Sequence, residues 1–257
     1  MLGKLFSLLA QTAIVLGHMQ LTEPCPRYSF QCKTQPTLPA GETIDYNLST
    51  PIGSNGNILA PFCKHTEPWP TVTSTWTAGQ PVTVEFATYG ATHSGGHCEF
   101  SLSYDGGQTY VVVHQELRYC FYTGNPNSGG SGSVRSYTFD LPSSVPGTDH
   151  AVFAWSWVNA SGNREFYSNC ADVAIAGAPG SYSAKQITFA NYGADYPLIP
   201  EFLGNYDTGI EFYTTNVTTV TVNGPGFSAY PAITTTSTSA GSSTSSAPYS
   251  ATPTSTA

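Results

Sequence analysis

From Pro81 onward the apolar residues of this chain recur at every second position, with no helical period between them. Val82, Val84 and Phe86 alternate with polar partners, as do Cys98, Phe100, Leu102 and Tyr104. Tyr137, Phe139 and Leu141 make a third run, Ala151, Phe153, Trp155 and Trp157 a fourth, and Cys170–Ile175 a fifth. Successive side chains of a strand point to opposite faces, so each run presents one apolar face. Asp105-Gly106-Gly107, followed by Thr109-Tyr110-Val111-Val112-Val113, predicts a hairpin. Short strands punctuated by turns predict an all-β fold, an antiparallel β-sandwich of the immunoglobulin or fibronectin kind with long loops. The ring stripe at 153, 155 and 157 reads as core; a sugar-binding platform is the minor alternative.

The flanks are less regular. Between His18 and about Pro81, prolines at 24, 26, 36, 39, 51, 61, 68 and 70 interrupt any long helix or strand. A loop region of that length within a domain is usually functional or pinned by disulfides. From about Ala178 to Gly226 the pattern loosens. Ile187 and Phe189 predict one strand there, and Val217, Val220 and Val222 another. After Phe227 the chain is almost entirely Ser, Thr, Ala and Pro, which predicts a disordered, O-glycosylated stalk over 227–257. One domain, 18–226, is therefore expected.

The net charge is −8, with 9% charged residues, which argues against nucleic acids and anionic membranes as partners. Leu5–Leu16, behind Lys4, forms a short apolar run. Val15 and Gly17 suit the positions three and one before a signal-peptidase cut. The run is shorter than the roughly 20 residues that a membrane span needs. Residues 1–17 are thus expected to be a signal peptide, and the mature protein to be secreted. In an exported chain, six cysteines suggest three disulfides. Cys25 and Cys32 are close enough for a local loop, Cys98 and Cys120 flank the hairpin, and Cys63 and Cys170 remain, although sequence alone leaves other pairings open. Asn47, Asn159 and Asn216 head glycosylation sequons. Asn47 and Asn216 are the expected sites; Asn159 lies too near the candidate active face.

A cut after Gly17 changes the chemistry of His18. An amino-terminal histidine offers its α-amine and its ring Nδ1 together. A second imidazole then completes a T-shaped three-nitrogen site of the geometry associated with copper. The free amine has a pKa near ~8, so metal must displace its proton and affinity should fall in acid. His93, within Tyr89-Gly90-Ala91-Thr92-His93-Ser94-Gly95-Gly96-His97-Cys98, sits on a glycine-rich loop between two predicted strands, an exposed end of the sandwich. His97 is a substitute ligand or a surface polar group. His114 falls in strand alternation, and His65 and His150 in loops. Glu165 and Tyr167, two apart in an extended segment, can share a face. There a tyrosine can approach a metal axially and a carboxylate can pass a proton. The competing reading pairs Arg164 with Glu165 on the surface and buries Tyr167.

Taken together, the His18-Met19 start with a nearby proline, Ala91-Thr92-His93-x-Gly95-Gly96-x-Cys98, Phe100-Ser101-Leu102-Ser103-Tyr104-Asp105 and Gly162-Asn163-Arg164-Glu165-x-Tyr167-x-Asn169-Cys170-Ala171 resemble the lytic polysaccharide monooxygenases. Within these, the chain is most similar to the fungal chitin-active auxiliary-activity family eleven. The resemblance implies that His18 and His93 form a histidine brace around one copper ion. It also implies that Tyr167 is the axial ligand, that Ala91 crowds the other axial side and that Glu165 is the carboxylate beside the metal. Cys98–Cys120 and Cys63–Cys170 fit the same pattern, whereas Cys25–Cys32 looks additional. The implied reaction is oxidative cleavage of an insoluble polysaccharide, chitin favoured, at C1 or C4, using hydrogen peroxide or dioxygen and an external electron donor, by a monomeric enzyme. Tyr28, near the mature start, is a candidate for substrate contact. Two other readings are a non-catalytic copper-binding protein on the same fold and a carbohydrate-binding sandwich without copper.

Overall fold

In the computed structural model, residues 17–53 and 60–229 are described. The leader up to residue 16 and the stalk beyond 229 lie outside them. In chain order the strands are β1 (Leu21–Glu23), β2 (Ser74–Thr77), β3 (Pro81–Phe86), β4 (Gly96–Ser103), β5 (Val111–Glu116), β6 (Ser136–Asp140), β7 (Thr148–Asn159), β8 (Phe166–Ala176), β9 (Gly180–Lys185) and β10 (Thr219–Gly224). A short 3-10 turn, Pro126–Ser128, and one helical turn, α1 (Glu211–Thr214), complete the elements.

The five alternating runs become β3, β4, β6, β7 and β8, and the predicted hairpin joins β4 to β5. The Asp105 carboxylate fixes that turn by accepting from Ser103 Oγ, Gln108 N and Thr109 N. A three-stranded sheet, β1-β3-β6, packs on a five-stranded sheet, β2-β8-β7-β4-β5, while β9 and β10 pair separately. The core between the two larger sheets holds Val82, Val84 and Phe86 of one against Phe100, Phe153, Trp155 and Trp157 of the other. The ring stripe is therefore core. Burying an aromatic side chain of this size contributes on the order of 2–3 kcal/mol from area alone.

Three features depart from the sequence reading. Strands β1 and β2, of three and four residues, lie in the stretch read as irregular and are too short to show a period. β2 pairs with β8 in parallel, so the sandwich is not purely antiparallel. The strand expected at Ile187 and Phe189 lies instead at β9, paired with β10. Beyond β9 the backbone leaves the sheet: Ile187 N donates to Tyr110 O, and Thr188 N to the Glu99 carboxylate. Ile187 enters a second core with Ile52, Phe62, Val152, Phe166, Ile199 and Phe202. That core covers the outer face of the five-stranded sheet with irregular chain, so β7 is buried on both faces over most of its length.

Three disulfides, Cys25–Cys32, Cys63–Cys170 and Cys98–Cys120, use all six cysteines. Cys63–Cys170 ties the proline-rich loop to β8 and Cys98–Cys120 closes the hairpin end. No helix among the described residues is long and apolar enough to cross a membrane.

Candidate metal centre

His93 stands in the connection from β3 to β4. It and Ser94 both adopt left-handed conformations, with φ of 43° and 56°. For residues with a Cβ this costs roughly 1–2 kcal/mol each, so the surroundings must impose it. They do so through main-chain bonds: Ser161 N donates to His93 O, Gly95 N to Thr92 O and Ala160 N to Gly95 O. Trp157 Nε1 also donates to Gly95 O. The loop is thus stapled to the end of β7.

His18 reaches the same place along the chain leading into β1. It bridges in parallel to Ala91, whose N–H donates to Gly17 O at 3.1 Å. A Cβ on Gly90 would lie 2.7 Å from His18 O, so only glycine permits this approach. Gly17 is bonded to His18 in this chain, which makes the His18 nitrogen an amide; a cut after Gly17 would turn it into an α-amine. Ala91 itself is exposed and touches His18 through its backbone.

The two imidazoles stack at 4.9 Å between centroids, with 20° between their planes. Tyr167, the second residue of β8, lies 5.0 Å from the His18 ring and 6.3 Å from that of His93. Its hydroxyl donates to Glu165 Oε2 at 2.5 Å, so the two side chains do share a face. Glu165 Oε2 is 4.0 Å from His93 Nε2. Trp157 closes the inner side, 4.8 Å from Tyr167 and 5.8 Å from His93. Beneath them Asn159 is fully buried, donating to Ser161 O and Asn163 O and accepting from Glu165 N. That side chain has no freedom to carry a glycan.

Burial pushes the pKa of both imidazoles down. For His93 the neighbouring His18 adds to this, while Glu165 and the Ser161 backbone oppose it. For His18, Glu165 opposes most strongly. Burial also holds the Tyr167 phenol far above its ordinary range, with its bond to Glu165 adding to the effect. The centre at neutral pH therefore holds two neutral imidazoles and a protonated phenol beside Glu165.

One atom tests whether a metal fits. His93 Nε2 is buried and has no hydrogen-bond partner. A lone pair hidden from water without a donor is costly, and a metal ion satisfies it. Ligand atoms of His18, His93 and Glu165 all lie within 4.8 Å of one another. Two imidazoles suit copper better than oxygen-seeking cations, and an α-amine freed by a cut after Gly17 would add a third nitrogen.

Other sequence candidates are elsewhere. His97 is 1% exposed; its Nδ1 accepts from Arg118 N and its Nε2 bonds Thr208 O, so it is neither a ligand nor a surface group. His65 pairs with Asp45, His114 with Glu116 and His150 with Asp172. Tyr28 is fully buried against Trp69 with its hydroxyl on Glu67 O, so it cannot touch a polysaccharide. Arg164 is buried and donates to the carbonyls of Asn159, Gly162 and Pro200, which replaces the surface pairing with Glu165. Sequence reasoning assigned Trp157 to the core alone, read Asn159 only as a sequon near the candidate face and gave Gly90 no part of its own. Only Gly90, immediately before Ala91, carried a local signal.

Comparison with known proteins bears on this centre. The family described as lytic polysaccharide mono-oxygenase, cellulose-degrading, matches residues 28–173. An AA11 family lytic polysaccharide monooxygenase A from Aspergillus fumigatus is 36% identical over 190 residues, 74% of this chain and 78% of that protein. The chain belongs to the AA11 family of lytic polysaccharide monooxygenases. A second AA11 enzyme, from Aspergillus oryzae, is 26% identical over 202 residues, but this chain spans only 44% of its length. Among solved structures, a cellulose-active polysaccharide monooxygenase from M. thermophila overlaps 58% of this chain and 73% of its own, with 15% identity and a TM-score of 0.40. Membership makes the protein a copper-dependent enzyme that cleaves polysaccharides oxidatively.

Proposed function

We propose that His18, through its ring and a freed α-amine, and His93, through Nε2, would hold one copper ion, with Tyr167 and Ala91 as neighbours of the site. The substrate is an insoluble polysaccharide, chitin by preference, oxidised at C1 or C4 with hydrogen peroxide or dioxygen and an external electron donor. The observation that carries this reading is the buried, unpartnered His93 Nε2 beside His18 and Glu165. Copper bound there supplies one-electron redox chemistry between Cu(II) and Cu(I).

The remaining work falls to the chain's own groups. Trp157 and Tyr167 exclude water from the inner side of the centre. Tyr167 keeps its proton and, by donating to Glu165 Oε2, fixes that oxygen 4.0 Å from His93 Nε2. Glu165 is thereby placed to hold or deliver a proton at that face. Phe30 and Tyr46, exposed and 5.1 Å apart on the loop that leads to Ser49, offer apolar faces to sugar rings.

In the same reading residues 1–17 are removed on secretion, 18–226 is the catalytic domain and 227–257 a stalk. The enzyme works as a monomer, and Asn47 and Asn216, both exposed, carry glycans. The test incubates copper-loaded protein of verified His18 start with chitin, ascorbate and peroxide, beside a His93→Ala variant. Oxidised chito-oligosaccharides from the wild type alone are expected by mass spectrometry. Products from cellulose but not chitin would correct the substrate. Equal copper affinity in both proteins would remove the brace, and tight copper binding without any oxidised product would favour a copper-binding protein on this fold.

A further inference from the structure

The loop over residues 197–205 is laced to the turn that carries the candidate centre. Phe202 N donates to Ala160 O at 2.9 Å, and Gly162 N donates to Glu201 Oε1 at 2.9 Å. Arg164 Nη1 donates to Pro200 O, and Ile199 N to Asn191 Oδ1, whose amide in turn reaches Glu165 O. The same turn touches the His93 loop. Ser161 N donates to His93 O, and a Cβ on Gly162 would lie 3.3 Å from His93 Nδ1. The 197–205 loop therefore borders the centre.

Its apolar residues divide into two sets. Ile199 and Phe202 point into the second core and are 0% and 2% exposed. Leu198 and Leu203 point outward and are 62% and 86% exposed. They hold nothing in the fold. Leu203 is also in a left-handed conformation, with φ of 47°. A side chain with a Cβ is unfavourable there, and glycine or asparagine is the usual occupant. The turn is imposed by Asn205 N on Phe202 O and Asn127 Nδ2 on Gly204 O. A leucine kept at a strained, solvent-facing position costs stability twice, through its backbone and its exposed apolar surface. Strain of this kind beside a reaction centre marks function.

The chemistry of the position selects the partner. A branched aliphatic group is a poor platform for the flat face of a sugar ring, which aromatic rings serve better. It suits a methyl group. The exposed Asn127 amide lies against the same turn, next to Gly204, and can pair with an amide. A methyl joined to an amide is the acetamido group that separates chitin from cellulose. We propose, resting on the reading of chitin as substrate, that Leu203, with Leu198 on the same loop, selects chitin by taking up the methyl of an N-acetyl group on the polysaccharide surface.

The experiment uses copper-loaded full chain of verified His18 start without reductant, so that binding is read apart from cleavage. Wild type, Leu203→Asn and Leu198→Ser are depleted from solution by chitin and, separately, by cellulose. Leu203→Asn suits the left-handed backbone and is expected to melt no lower than wild type. Its affinity for chitin is expected to fall about fivefold, the factor that losing a buried methyl-sized contact gives. Leu198→Ser is expected to weaken chitin binding in the same direction, which keeps the loop testable if the first variant does not fold. Binding to cellulose is expected to stay the same in both. Unchanged chitin binding by a folded Leu203→Asn overturns the proposal. An equal loss on both polysaccharides also overturns it, since the leucine then does not read the acetamido group. Failure of the chitin reading shows separately, in the wild type alone, as binding to cellulose without binding to chitin, and it removes this role for Leu203 as well.

Discussion

The two faces of the five-stranded sheet are packed by different means. Toward the three-stranded sheet, β4 presents Cys98, Phe100 and Leu102, and β7 presents Phe153, Trp155 and Trp157. Both partners there are strands whose backbone groups are already paired, so apolar area and shape suffice. The outer face of the same sheet carries His97 and Glu99 on β4 and Asp172 on β8, each fully or almost fully buried. It is covered by loops, whose N–H and C=O groups need partners wherever water is excluded. Each buried polar side chain meets such a group: His97 takes Arg118 N and Thr208 O, Glu99 takes Thr188 N, and Asp172 takes Trp69 N. A loop-covered face needs polar pins, and a sheet-covered face does not. The candidate metal centre stands where the two meet, with Tyr167 and Trp157 from the sheet-packed side and His93 and Ser161 from the loops.

Asp172 gives the widest separation between the faces. Its carboxylate takes Arg27 Nη2 at 2.6 Å and Arg27 Nε at 2.9 Å, in addition to Trp69 N and His150 Nε2. Both members of the pair are nearly inaccessible. Asp172→Asn leaves the guanidinium buried without its counter-charge, and breaking such a pair costs about 3–5 kcal/mol. Ile175→Val removes one methylene from the opposite core and costs about 1 kcal/mol. Denaturant unfolding at neutral pH compares the two directly. If Asp172→Asn costs no more than Ile175→Val, apolar contact holds both faces and the distinction disappears.

The same contrast explains what could be read in advance. Alternation at 82–86, 98–104, 137–141 and 151–157 was legible because each run has one face in the sheet-to-sheet core. Ile187 and Phe189 misled because their burial is in the loop-covered core, where the backbone follows the Glu99 carboxylate and Tyr110 carbonyl rather than a strand neighbour. In the centre, His18, His93, Glu165 and Tyr167 were legible from residue type, local glycines and family resemblance. The supporting part of Asn159 was not, because its side chain folds the 159–165 turn onto itself through hydrogen bonds that no residue spacing announces.

His97 makes the loop-covered face sensitive to acid. Burial pulls its pKa from 6.5 to about 4, and its Nδ1 is already an acceptor for Arg118 N. A base with a depressed folded pKa binds its proton more readily when unfolded, so its contribution is complete above pH 6.5 and is lost as pH falls toward 4. The difference corresponds to about 3 kcal/mol. His97→Gln has an oxygen for Arg118 N, an amide for Thr208 O and no titration. The stability gap between wild type and His97→Gln is expected to shift in favour of the variant between pH 6.5 and 4. A constant gap across that range would mean that the ring titrates as it does in water.

His150 sits on the same face but at its rim, and its expected effect is smaller and opposite in sign. Its side chain is 45% exposed, and its Nε2 bonds Asp172 Oδ1 at 2.8 Å. That bond raises its pKa above 6.5, with burial opposing. A raised folded pKa gives stability that is complete below 6.5 and is lost as pH rises through the folded value. Exposure to solvent limits it to less than about 1 kcal/mol. His150→Gln should therefore be less stable than wild type at pH 5.5 and close to it in alkali, a gap that salt narrows. The His97 and His150 variants thus diverge from wild type in opposite directions as acid is added. Parallel behaviour would show that depth beneath the loops does not decide how a histidine on this face contributes.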